Sequence, residues 1–149
     1  MKEKRMTRPM QLIIGALVLI LALFIAVSLF IWKAGLPYHN ARSEAIAIAQ
    51  KASKLKKVTA FDIATTDETV YAIEGTDASG EKLGVLIPKE GSKITQVKLS
   101  EGVDPESLTK SDTTSIVLAS YQNQPAWEVN NKSGFALYDF KTGKELMTS

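Results

Sequence analysis

Three Ser-x-x-Lys pairs, Ser53 with Lys56, Ser79 with Lys82 and Ser107 with Lys110, are the residue types and spacings in this chain that come nearest to catalysis. A lysine one helical turn beyond a serine can serve as its base without histidine. Near the third pair, Ser111-Asp112-Thr113 and Lys141-Thr142-Gly143 imitate the two further motifs of serine enzymes built that way. Such enzymes gather their motifs from distant parts of a large domain around a buried cleft. Here all three fall within residues 107–143, two of them in turns, and the match is read as coincidence in a chain rich in serine and lysine. Glu128 and Asp139 are the carboxylates best placed to meet, because their strands are expected to be neighbours and alternation puts both on one side. Acid and base catalysis would need a cleft that raises one pKa, and thin layers promise none. Gly75 and Gly80 have the spacing of a phosphate loop, but Glu81-Lys82 follows where Lys-Ser/Thr is required.

Composition narrows the chemistry further. Of 149 residues none is cysteine, which removes disulfides, thiol nucleophiles, thiolate metal ligands and a lipidated N-terminal cysteine. The single histidine, His39, excludes any site that needs two imidazoles, and Asp77, Asp104 and Asp112 miss the spacing of a calcium loop. No catalytic residue, cofactor, metal or small-molecule substrate is expected. The densest aromatic group is Trp127, Tyr138 and Phe140. Trp127 and Tyr138 could present a partner-binding surface, although alternating aromatics more commonly form the core of a sheet. Asn131-Lys132-Ser133 has the form of a glycosylation acceptor, a triplet frequent by chance.

The elements that must carry these residues begin with Leu12–Trp32, twenty-one residues without a charge. As a helix this run is about 31 Å long, close to the ~30 Å hydrocarbon core of a bilayer. It exceeds the apolar region of a cleavable signal, and cleavage after Ala26-Val27-Ser28 would leave an apolar LFIW at the new terminus. An uncleaved anchor is expected, with the lipid bilayer as its solvent. Lys2, Lys4, Arg5 and Arg8 precede it against Glu3, whereas the chain beyond Lys33 carries thirteen basic and fifteen acidic side chains. That asymmetry places the N-terminus in the cytoplasm and the C-terminal part outside, and the slightly acidic body gives no footprint for nucleic acid. Ala22 and Ala26 could allow a second helix to approach, though such spacing is common by chance.

Gly35 and Pro37 are expected to break the helix, which makes 33–39 a short linker after the tail (1–11) and the span (12–32). Residues 40–57 follow a helical period, with Asn40 as cap and Lys54, Lys56 and Lys57 in the last turn. The period then changes to two: strands are expected over 58–66, 69–76, around Leu83–Ile87 and over 93–100, and the helix should cover one face of this antiparallel meander. Asp104-Pro105 starts a reduced second helix, followed by strands at Ser115–Leu118, 125–131, 134–140 and Glu145–Met147. Ile73-Glu74 aligns with Trp127-Glu128, Ser79-Gly80 with Ser133-Gly134, and Gly91 with Gly143, a period near fifty. The reading is α+β: one transmembrane helix, then two modules at 40–101 and 102–149, each a helix on an antiparallel meander.

The blocks YAIEGTDASGEKLGVLIP and WEV followed by LYDFKTGKEL resemble those of the TseB-like (YpmB) cell-wall elongation regulators of Gram-positive bacteria. The terminal block, Trp127-Glu128-Val129 before Tyr138-Asp139-Phe140 and Thr142-Gly143-Lys144, is similar to the end of a PepSY-type module. The resemblance covers nearly the whole chain. It implies two cystatin-like units outside a single membrane span, no enzymatic activity, and a class B penicillin-binding protein as partner during wall elongation. The alternative it leaves is a PepSY-like inhibitor or chaperone of an exported peptidase. The short polar helix after Asp104 departs from the family pattern.

Overall fold

The computed structural model describes residues 7–149, so most of the expected basic tail, residues 1–6, lies outside the described residues. Two compact units divide the chain, one ending at Ala41 and the other formed by Arg42–Ser149. The first is helical: α1 runs from Arg8 to Ala52, past both expected ends of the span at Leu12 and Trp32. It is long and apolar enough to cross a membrane, and its apolar side chains are exposed throughout the stretch.

The expected break at Gly35 and Pro37 is not found, because residues 33–39 are helical and Pro37 lies inside α1. A proline within a helix removes one N–H donor and costs about 3 kcal/mol, but it does not forbid the helix. Pro37 is exposed, so water can satisfy the backbone group left unpaired. Asn40 is consequently mid-helix rather than a cap. The helix ends earlier than its period suggests: Ser53 Oγ donates to the Ala49 carbonyl and accepts from Leu55 N–H, turning the chain. Of the lysines expected in the last turn, Lys57 instead opens the first strand.

The second unit contains two four-stranded antiparallel sheets, each a simple meander. Sheet 1 is β1 (Lys57–Thr65), β2 (Thr69–Thr76), β3 (Lys82–Pro88) and β4 (Thr95–Lys98). Sheet 2 is β5 (Thr113–Tyr121), β6 (Gln124–Asn131), β7 (Gly134–Asp139) and β8 (Glu145–Thr148). Between them lie two single 3-10 turns, Leu99–Glu101 and Pro105–Leu108. Asp104 caps the second as expected, accepting from Glu106 N–H at 3.0 Å with Pro105 in the first position.

Sheet 1 is buried on both faces. One face gives Ile73, Leu83, Val85 and Ile87 to a core closed by Ala45 and Ala49 of α1 and by Leu55. The other gives Ala64, Val70, Ala72 and Leu86 to a second core, completed by Leu118, Trp127, Val129, Ala136, Tyr138 and Phe140 of sheet 2 and its flank. The two meanders therefore share a core, and sheet 1 is the middle layer. By register, Trp127 aligns with Leu118 and Tyr138 on the packed face of sheet 2, the position that Ile73 holds beneath the helix in sheet 1. The second meander has no helix of its own; sheet 1 and the 3-10 segment cover that face instead.

Hydrogen bonds add to this junction. Thr66 Oγ1 donates to the Ser120 carbonyl, Ser120 Oγ donates to Glu68 at 2.7 Å, and Gln122 N–H donates to Asp67 at 2.9 Å. Gln122 and Asn123 both have positive φ (50° and 60°), the geometry of a two-residue turn that matches strand twist. The β1–β2 turn thus grips the β5–β6 turn.

Candidate functional site

Each of the three Ser-x-x-Lys serines is engaged in a local backbone or turn contact. Ser53 closes α1, Ser79 Oγ donates to Asp77 at 2.6 Å, and Ser107 Oγ donates to the Asp104 carbonyl at 2.6 Å. Lys110 lies 5.9 Å from the Tyr138 ring centroid, and its pKa is raised, first by its interaction with the Tyr138 hydroxyl. A lysine acting as base needs the opposite shift, so the direction at Lys110 does not favour that role.

Glu128 and Asp139 do lie on the same side of sheet 2, pairing with Leu137 and Ala126 respectively. Asp139 Oδ1 accepts from Lys141 N–H, Thr142 N–H and the Thr142 hydroxyl at 3.0, 2.7 and 2.8 Å. Those donors, Thr142 N–H foremost, hold its carboxyl below the usual range and keep it an anion. Glu128 accepts from Asn130 Nδ2 at 2.9 Å, while its second oxygen is buried without a partner among the described residues. Asp77 plays the part of Asp139 in the β2–β3 turn: it accepts from Ser79 and Glu81 N–H, and the Ser79 hydroxyl leads in lowering its pKa. No group of His, Asp or Glu among the described residues is arranged to hold a metal.

The aromatic surface expected at Trp127 and Tyr138 is not on the surface. Trp127 is 2 % and Tyr138 7 % exposed, and Trp127 packs at 5.9 Å from the Phe140 ring. Their strand faces sheet 1 rather than solvent, so the rings contribute burial, each worth several kcal/mol on truncation, rather than a platform.

What the sequence reading missed is a groove of about 750 Å³ beside Trp127, between sheet 1 and the segment that links the sheets. Its wall includes Glu74 and Lys82 from β2 and β3, Glu81 from the turn between them, and Asp104 and Glu106 from the second 3-10 turn. Glu74 and Asp62 lie on the same face of neighbouring strands, one diagonal step apart. Burial, and then the Asp62 carboxylate, push the Glu74 carboxyl up, with Lys82 opposing; burial alone pushes Asp62 up. Glu81 is paired with Lys98 at 3.2 Å. Trp127 Nε1 is buried without an acceptor among the described residues. The only sequence signal for this arrangement was an acid, Glu74, inside an otherwise apolar strand.

The direction of each carboxyl's shift gives the sign of its contribution to the pH dependence. A raised folded-state pKa means that Glu74 and Asp62 favour the fold most when protonated, and that contribution is lost as pH rises through their folded values. Asp77 and Asp139 act oppositely: their contribution is present above the unfolded value near 3.8 and is lost as pH falls through their depressed folded values. Glu74→Gln is expected to stabilise the protein at pH 7 and to leave it nearly unchanged at pH 4, an effect within about 1 kcal/mol. Urea midpoints measured at both pH values check this; equal midpoints for variant and wild type at pH 7 would contradict it.

The fold defines the class: an α+β protein with a helix long and apolar enough to span a bilayer, bearing two antiparallel four-stranded sheets consistent with cystatin-like modules. Residues 44–88, from the end of α1 through β3, match the family model described as the cell wall elongation regulator TseB-like domain. Among solved structures, the YpmB protein from Bacillus subtilis is similar, with a TM-score of 0.64 and 28 % identity over 71 % of this chain and 94 % of that one. No curated protein matches the chain. The two matches support assigning the chain to the TseB/YpmB-like family and support a cell-wall regulator role.

Proposed function

We propose that this is a non-enzymatic, single-span membrane protein that regulates cell-wall elongation by binding a class B penicillin-binding protein on the outer side of the membrane. The observation that carries the reading is the match of residues 44–88 to the elongation-regulator domain. Two features support it. The apolar run 12–32 with basic residues before it suits an anchor with a cytoplasmic N-terminus. The serines of the three Ser-x-x-Lys pairs and Asp139 are engaged in turns or helix ends, which suits recognition rather than turnover.

An anchored regulator acts by raising the local concentration of its binding surface near membrane-bound partners. Protease shaving of intact protoplasts is expected to remove the part beyond Lys33 and leave the anchor. In vivo cross-linking followed by detergent extraction is expected to recover a transpeptidase with this chain. Protection of the C-terminal part, or recovery of no such enzyme at any growth stage, overturns the proposal. Potent inhibition of an exported peptidase by the purified protein would favour the peptidase-inhibitor alternative instead.

A further inference from the structure

We propose that the groove beside Trp127 receives a lysine- or arginine-bearing segment of a partner protein, its cation meeting Glu74, Asp104 and Glu106 and its backbone carbonyl meeting the Trp127 indole N–H. The partner role rests on the regulator reading above; the groove chemistry does not.

Four carboxylates, Glu74, Glu81, Asp104 and Glu106, face one lysine, Lys82, around this groove. Glu81 already has Lys98, which leaves Glu74, Asp104 and Glu106 as the charges in excess. Asp62 adds a further carboxyl on the strand beside Glu74. Acids alone would be a solvated patch. Trp127, one of the residues lining the groove, supplies the independent observation: it is 2 % exposed, and its Nε1–H is buried with no acceptor among the described residues. A buried donor without an acceptor costs about 1–3 kcal/mol, and an incoming carbonyl would recover that loss. A metal ion or a simple amine would satisfy the carboxylates and leave the indole unpaired. A peptide segment satisfies both, and the groove volume of about 750 Å³ falls in the range of ligand sites, ~300–1,000 Å³. An acidic segment is excluded by charge, and an apolar one would bury Glu74 without a partner.

Trp127 also makes the test direct, because Trp32 is the only other tryptophan and lies in the apolar run. The full chain, labelled with nitrogen-15 in detergent micelles, is titrated with a capped hexapeptide of alternating glycine and lysine. Saturable movement of the Trp127 indole resonance with Trp32 unmoved is expected, weakened about tenfold, or 1.4 kcal/mol, in Glu74→Gln combined with Asp104→Asn. The unchanged remainder of the spectrum verifies that the variant is folded. No movement of the indole, equal movement with the matching glycine/glutamate peptide, or movement that follows protein concentration without peptide overturns the proposal. The last of these would mean that a second copy fills the groove. Failure here is distinguishable from failure of the regulator reading. If the wild type captures a transpeptidase while the Trp127 indole does not respond to the peptide, the groove assignment falls alone; if the wild type captures none while Trp127 responds, the groove stands without that partner.

Discussion

Gly75→Ala is expected to unfold the body formed by residues 42–149. Gly75 pairs with Val58 where β1 carries an irregularity between Val58 and Ala60. A Cβ at this position would collide with the Lys57 carbonyl oxygen and come within 2.8 Å of Leu55 Cδ1. The leucine could turn aside, but the carbonyl belongs to backbone fixed by the Lys57 pairing with Thr76 and by Lys56 N–H donating to the Thr76 carbonyl at 2.9 Å. With no flexible atom to yield, the cost should exceed about 4 kcal/mol, at the extreme of single substitutions and comparable with the whole stability of a small domain. Gly80→Ala is the control. Gly80 has φ of 86° but open space where a Cβ would go, so only the left-handed backbone is penalised, by about 1 kcal/mol. Urea unfolding followed by near-UV circular dichroism should show no folded baseline for the first variant and a modest shift for the second. A cooperative Gly75→Ala transition near the wild-type midpoint would show that the bulge can open without cost.

Leu118→Ala carries the second large effect, about 2–5 kcal/mol. Leu118 is fully buried, and its Cδ2 lies above Gly84 of sheet 1, only 2.5 Å from where a Cβ there would stand. It is the knob of one sheet seated in the notch of the other. Because both sheets contribute to that core, the loss should be felt in both. Hydrogen exchange is expected to show β2 and β6 amides losing protection together. Destabilisation confined to sheet 2 would mean that the two meanders unfold independently. Gly84→Ala offers a further check, since its clash is with the same methyl. The two substitutions should combine to less than their sum, as neighbours sharing a contact do.

The strands, their turns and the helix face over Ile73 and Val85 were legible from the change of period after residue 57, and Asp104-Pro105 marked its short turn correctly. The association of the sheets was not read, although a signal existed. β2 and β3 read VYAIEG and LGVLIP, nearly continuous apolar runs. Such strands are buried on both faces, whereas a meander with one wet face alternates. Ile73, Val85 and Ile87 face one core, and Val70, Ala72 and Leu86 occupy the reverse side. Pro37 stays within α1 against expectation, because the rule for proline states a cost and not a prohibition. Trp127 and Tyr138 pair across β6 and β7 and so share a face, but whether a face meets solvent depends on what packs against it, and alternation within one strand cannot reveal that. The groove escaped for the same reason: Glu74, Asp104 and Trp127 are separated by 30 and 23 positions in the chain and meet only through tertiary packing.

The double-sided burial of sheet 1 bears on biosynthesis. A ribosome delivers β1–β4 before β5 exists, so the nascent chain displays Val70, Ala72 and Leu86 to its surroundings until the last forty residues or so have followed. A product truncated near Gly102 would retain a complete meander with a permanently uncovered greasy back, the kind of surface that quality-control proteases and aggregates both select. Premature stop codons that fall before β5 should therefore behave as nulls, despite leaving intact residues 44–88, which match the family model.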